Sequence, residues 1–129
     1  MTTAIRTNVD TDHQAALRNA WQTERAKART ARDQGDTDTE WRHLERAHIL
    51  SQPIARLHVS THLAMLAAAV RRRDVREIVG QVGRLFVAGP GTLTGRYPVG
   101  NTGGADVSAF RPMPIPDDLR PLLNAEDAR

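Results

Sequence analysis

The sequence lacks cysteine altogether and has only five aromatic residues among its 129 positions. Without cysteine, neither a disulfide framework nor a thiolate metal site can form. Its apolar residues, 40% of the chain, are mostly alanine, leucine and valine, and side chains of this kind pack closely between helices. The composition therefore predicts an all-α fold, and the length allows one compact domain.

Long hydrophobic runs are also missing. The longest apolar run, residues 63–70, is far too short to span a bilayer. Residues 1–12 are polar and have no apolar stretch of the kind found in a secretory signal. We therefore expect a cytoplasmic protein that has no membrane partner.

Lysine is nearly absent, because seventeen of the eighteen cations are arginine, and the formal net charge is +3. Acidic residues are interleaved with the arginines, whereas a nucleic-acid-binding protein shows a clustered basic face with stacking aromatics. The densest basic run, Arg71-Arg72-Arg73, suits a helix C-terminus. Nucleic acid is therefore an unfavoured partner, and a continuous patch joining that run to Arg76 and Arg84 would be needed to support it.

Helical periodicity and breakers predict four helices. The first spans about 12–34 with Asp10 or Asp12 as its cap, and the second runs from a cap near Asp36 to Pro53. A third extends from Pro53 to about residue 72. The fourth opens at Asp74, carries Ile78, Val82, Leu85 and Phe86 at helical spacing, and is closed by Gly89-Pro90-Gly91.

A weak repeat of about 38 residues relates the two halves, since each has a helix, a polar turn, a second helix and a proline stop. This pattern predicts two hairpins, 12–52 and 54–88, stacked in a tetratricopeptide-like arrangement, although such arrays usually need three units. Residues 89–123 have no helical period, and we expect this loop-rich segment to wrap the helices in an extended path. Residues 1–11 are expected to be flexible and 124–129 frayed.

Three histidines are predicted to converge at the corner between the second and third helices. His58 and His62 are spaced i, i+4, so both rings project from one face of a helix. His48 lies in the last turn before Pro53, and that corner brings the last turn of one helix next to the first turns of the other. Three imidazoles in one place are typical of a transition-metal site.

Two glutamates are candidates for a fourth ligand. The 38-residue offset aligns Glu24 with His62, and Glu45 precedes His48 by three positions, as in the Glu-x-x-His pairs of di-iron bundles. Only one such pair occurs, so a mononuclear site is favoured. Imidazole together with carboxylate suits divalent iron, zinc, copper or nickel. Gln52 and Gln81 are candidate supports for the ligands, with Gln52 expected to lie nearer the corner.

An alternative interpretation remains open. The histidines can be structural, and the hairpins can form a concave surface for a protein partner or a small molecule. The segment Gly100-Asn101-Thr102-Gly103-Gly104 lacks the lysine and following helix of a phosphate loop, so a structural turn is the favoured interpretation. Catalytic residues cannot be assigned, because no oriented triad follows from spacing alone.

Several motifs together resemble a small bacterial family of unknown function. They are residues 45–53, His58-x-x-x-His62, Asp74-Val75-Arg76-Glu77 with Gly80-Gln81, residues 98–103 and residues 112–116. The resemblance covers about residues 13–123. It implies a single cytoplasmic helical domain and names no reaction.

Overall fold

The computed structural model describes residues 2–93, 99–108 and 111–123, with side chains for 11–86 and for the two later segments. This part of the chain contains four α-helices and no strand, which confirms the predicted all-α class. The helices are α1 (Thr2–Asp33), α2 (Thr37–Ser51), α3 (Ala55–Arg72) and α4 (Val75–Leu93), and a 3-10 turn follows at Arg120–Leu122. None of the helices in the described ranges is long and apolar enough to cross a membrane.

The turns between the helices use the breakers that the sequence indicates. Gly35 has a φ of 74°, and the carboxylate of Asp36 accepts a hydrogen bond from the Thr39 amide at 3.0 Å, which caps α2. Arg73 ends α3 in the left-handed region with a φ of 56°. Asp74 then accepts a hydrogen bond from the Glu77 amide at 3.0 Å and opens α4.

Two helix boundaries differ from the predicted ones. Helix α1 begins at Thr2 rather than near residue 12, so Asp10 and Asp12 lie inside it. No glycine or proline stands in that stretch to stop the helix. Helix α4 continues through Gly89-Pro90-Gly91 to Leu93, because one proline removes a single N–H donor and the following turn can stay helical. The flexibility of residues 1–11 stays a prediction, and residues 124–129 lie outside the described ones.

Helix packing forms two hairpins that meet through α2 and α3. Helix α1 packs on α2, α3 packs on α4, and α2 contacts α3. One apolar cluster joins the hairpins through Ala28, Leu44, Met65 and Ala68. A second cluster places the C-terminal segment over the first hairpin, and its buried members are Leu17, Ile49, Leu50, Ile115, Leu119 and Leu123. Phe110, an apolar residue of the same segment, lies outside the described residues, and the tetratricopeptide-like arrangement stays a prediction.

Helix α4 is amphipathic in the reverse of the usual sense. Its buried side chains are polar, namely Glu77, Gln81 and Arg84. Four apolar side chains are exposed instead: Val75, Val79, Val82 and Phe86 are 70%, 67%, 43% and 79% exposed. The polar face therefore points inward, toward the histidines.

Candidate metal centre

The corner between α2 and α3 brings three buried imidazoles together, as the sequence predicts. His48 lies near the end of α2, and His58 and His62 lie one turn apart on α3. The Nε2 atom of His48 is 3.0 Å from Nε2 of His58 and 3.1 Å from Nε2 of His62. In the part of the chain that the structure describes, these three residues form the one group of ligand-type side chains close enough to share a metal ion.

Two of the rings are oriented by oxygen atoms on their far side. Nδ1 of His48 lies 2.7 Å from the carbonyl oxygen of Asn101, and Nδ1 of His62 lies 2.7 Å from Oε1 of Gln81. The amide nitrogen of Gln81 donates to Glu77 and to the carbonyl of Gly103, at 2.6 and 2.7 Å, which fixes the orientation of the amide. Because both oxygens accept hydrogen bonds, each Nδ1 carries the proton and each Nε2 presents its lone pair to the centre.

This arrangement leaves two unprotonated Nε2 atoms, those of His48 and His62, 3.1 Å apart. Burial lowers the pKa of His48 well below 6.5, and His62 and His58 lower it further. Burial also lowers the pKa of His62 to about 4. A proton therefore does not separate these lone pairs at neutral pH. A metal ion fits between them, since metal–nitrogen bonds of about 2.0–2.1 Å in tetrahedral geometry place two nitrogens about 3.3 Å apart.

The loop that carries Asn101 is held rigidly against His48. The Asn101 side chain accepts a hydrogen bond from the Gly103 amide at 2.9 Å and donates to the carbonyls of Ser108 and Arg111 at 2.8 and 2.7 Å. Gly103 has a φ of 83°, and a Cβ atom there would lie 2.8 Å from the His48 ring. The glycine-rich segment is thus a structural turn, and this turn positions a candidate ligand.

A second polar layer on α4 supports the same loop. Both carboxylate oxygens of Glu77 accept hydrogen bonds from the Ala105 amide, at 3.0 and 2.9 Å. The guanidinium of Arg84 donates to the carbonyl of Val107. Glu77 also accepts from Gln81, so a continuous chain of hydrogen bonds runs from His62 through Gln81 and Glu77 to the loop.

Neither predicted carboxylate belongs to the histidine group. Glu24 contacts Nδ1 of His43 at 2.6 Å and accepts a hydrogen bond from Arg46 at 3.0 Å, both on α2. Its neighbours Trp21 and Arg25 do reach α3, where they donate to Thr61 and Ser60. Glu24 is rotated about 100° from Arg25 about the axis of α1, toward α2, and the height that the repeat alignment gives it stays a prediction.

Glu45 lies three residues before His48 on α2 and is held by another partner. Its Oε1 accepts a hydrogen bond from the Trp41 indole at 3.1 Å. Burial raises the pKa of Glu45, the Trp41 hydrogen bond lowers it, and the charges of Asp106 and Glu77 raise it further. Glu45 is thus a half-buried carboxylate near the loop, and its part in metal binding stays a prediction.

The groups that orient the histidines are a glutamine that the sequence predicts and a loop carbonyl that it does not. Gln81, one of the two predicted glutamines, makes the hydrogen bond that orients His62, while Gln52 accepts from the Gly100 amide at 3.1 Å. Asn101 holds His48 through a backbone carbonyl, and backbone carbonyls leave no signal in a sequence. Gly103 could have been found, because a glycine run opposite a buried ring indicates a close approach of the backbone.

Comparison with known proteins gives a family and no activity. Neither the curated proteins nor the solved structures contain a match. A family model described as protein of unknown function (DUF3703) matches residues 15–123. This match covers the parts of α2, α3 and α4 that build the candidate centre and the loop that orients His48. The chain therefore belongs to the DUF3703 family of proteins of unknown function.

Proposed function

We propose that this chain is a metal-binding protein in which His48, His58 and His62 hold one divalent transition metal ion through their Nε2 atoms. One observation carries the proposal: the Nε2 atoms of His48 and His62 face each other at 3.1 Å while both Nδ1 atoms donate to oxygens. Two buried lone pairs at this distance repel unless a cation lies between them. The low pKa values of both rings make a metal ion a better cation than a proton.

The donor set narrows the choice of metal. Three neutral imidazoles suit zinc, copper, nickel and iron, whereas magnesium and calcium prefer oxygen ligands. Glu24 is already paired with Arg46 and His43, so we do not assign it to the metal. The fourth position is left to a water molecule, a small ligand or, after a side-chain movement, Glu45.

Elemental analysis of the untagged protein tests the proposal. We expect close to one equivalent of metal in the wild type and none in the double variant His58→Ala, His62→Ala. The matched control is His13→Ala, His43→Ala, which removes two histidines outside the cluster and is expected to keep its metal. Circular dichroism shows whether each variant is folded. A wild type without metal, or equal metal in the two variants, would exclude the site.

We further propose that the metal has an open coordination position, as catalytic three-ligand sites do. A metal at such a position lowers the pKa of a bound water toward neutrality and polarises small substrates. His48, His58 and His62 are each at most 5% exposed, so only a small molecule would reach the centre. Azide added to the cobalt-substituted protein tests this: a changed visible spectrum indicates an open position, and an unchanged one indicates a closed, structural site.

A second candidate function is that of a protein interaction module, and the reversed amphipathicity of α4 favours it. The spacing of Val75, Val79, Val82 and Phe86, four, three and four residues, is the spacing of a seam that packs on a partner helix. A photo-cross-linking residue placed at Val79 is expected to give a discrete cross-linked product in cells. The same residue at the exposed Arg18 on α1 is the control, and equal products at both positions would contradict the module.

A further inference from the structure

A cavity of about 170 Å³ opens where α1, α2 and α3 meet, and arginines line it. Arg25, Arg29 and Arg32 lie on one face of α1 at i, i+4 and i+7, and Arg71 faces them from α3. None of the three histidines lines this cavity. Since a water molecule takes about 30 Å³ of liquid volume, the space suits a ligand the size of one or two phosphate groups.

Positive charge in this cavity exceeds negative charge. Its one carboxylate, Glu40, is buried and already pairs with Arg71. Arg32 contacts Asp33 at 3.4 Å, and the Asp33 side chain is 71% exposed, so this pair is weak. Among the described side chains, no ion pair involves Arg25 or Arg29. Within the described residues, the half-buried Arg25 and the exposed Arg29 therefore have no counter-charge.

Arg25 is held in place by neutral groups only. Its Nη1 donates to the carbonyl and hydroxyl oxygens of Ser60 at 3.4 and 3.3 Å, and its guanidinium lies 5.2 Å from the centre of the Trp21 ring. These contacts fix the side chain and leave its charge uncompensated. Burial lowers the pKa of Arg25, and the neighbouring Arg29 lowers it further. An anion bound between the two arginines would relieve this repulsion.

The remaining walls are apolar, formed by Ala28, Leu44, Ala64 and Ala67. Apolar walls reduce competition from water and strengthen ionic contacts inside a cavity. Arginine is also the side chain whose planar group of donors matches phosphate oxygens in pairs. We propose that this cavity binds the phosphate group of a small phosphorylated molecule, with Arg25 and Arg29 as its principal contacts and Arg32 at the rim.

Isothermal titration of the protein with inorganic pyrophosphate tests the proposal. We expect millimolar or tighter binding by the wild type and at least a tenfold weaker affinity in Arg29→Gln, Arg32→Gln. The control Arg56→Gln, Arg76→Gln removes the same charge from exposed arginines outside the cavity and is expected to bind as the wild type does. Equal weakening in both variants would show general charge attraction and overturn the proposal, as would a wild type that does not bind.

A second pair of variants separates the cavity from the metal centre and from loss of folding. Ala67→Glu adds a carboxylate to the wall and leaves every arginine in place, whereas Ala67→Gln adds a neutral group of the same size. We expect Ala67→Glu to abolish binding and Ala67→Gln to retain most of it, with equal metal content in both. If the two variants bind pyrophosphate equally well, the anion binds elsewhere, for example at the histidines, and the cavity is not its site.

Discussion

At Gly103 the backbone passes close to the His48 ring, and this contact gives the sharpest test of how the candidate metal centre is built. A Cβ atom at Gly103 would lie 2.8 Å from two ring atoms of His48, a separation that real Cβ atoms essentially never show. Gly103→Ala changes no candidate ligand. It forces either the His48 ring or the loop to move, and the loop is tied down by Asn101 and by Gln81.

The expected loss of stability in Gly103→Ala has two components, backbone strain and overlap with His48, and a substitution at Gly35 measures the first one alone. Gly103 and Gly35 both have positive φ, 83° and 74°, so alanine at either position carries a backbone strain of about 1–2 kcal/mol. At Gly35 nothing lies within 4 Å of the added Cβ. At Gly103 the overlap with His48 adds about 1–3 kcal/mol of overpacking. We therefore expect a loss of about 1–2 kcal/mol for Gly35→Ala and about 2–5 kcal/mol for Gly103→Ala.

Metal affinity distinguishes displacement of the ligand from general destabilisation. Disturbing the groups that orient metal ligands typically lowers affinity 10–100-fold, and we expect this loss in Gly103→Ala and none in Gly35→Ala. Urea denaturation measures stability, and competition with a chromophoric chelator measures affinity. If Gly103→Ala binds metal as tightly as Gly35→Ala does, the position of the His48 ring does not matter for binding, and the geometric reasoning is wrong.

Three further predictions concern pH, an orienting group and the carboxylates. Because burial lowers the pKa of His62 to about 4, the metal-free protein should lose about 3 kcal/mol as pH falls from 6.5 to 4; an unchanged urea midpoint over that range would contradict this. Gln81→Leu removes the acceptor for His62 and should lower metal affinity 10–100-fold in the chelator assay. Glu24→Gln should keep wild-type metal affinity, because Glu24 is paired with Arg46 and His43, and a tenfold loss would contradict this. In Glu45→Gln, a tenfold loss would identify Glu45 as the fourth ligand, and an unchanged affinity would leave that position to water or a small ligand.

The convergence of the histidines could be predicted because each step of that inference is local. The i, i+4 spacing fixes His58 and His62 on one face of α3, and Pro53 fixes the corner that faces His48 toward them. The positions of the turns at Gly35 and Asp74, and with them the all-α class, can be predicted in the same way, because they depend on helix breakers and caps within a few residues. Local rules of this kind do not depend on the rest of the fold.

The fourth ligand was the weak point of the sequence argument, because it depended on aligning two halves of the chain. Trp21 and Arg25 donate hydrogen bonds to Thr61 and Ser60 on α3, so the face of α1 that carries them points toward α3, and the face that carries Glu24 does not. The repeat alignment does not determine the rotation of α1 about its own axis. One residue is worth about 100° of rotation, and that is enough to turn Glu24 from the histidines to Arg46.

Helix α4 is a second case in which the sequence pattern is not sufficient. Its periodicity divides the helix into two faces but does not show which face points inward. The apolar face, with Val79 and Phe86, has the usual properties of a core face, yet it is exposed. The polar face is buried because its groups have specific partners: Gln81 binds His62 and the loop, and Glu77 binds the Ala105 amide. These partners are a histidine and backbone atoms that are distant in sequence, and the helical pattern alone does not reveal them. The polar face points inward because it binds these groups, and the apolar face is left exposed as a result.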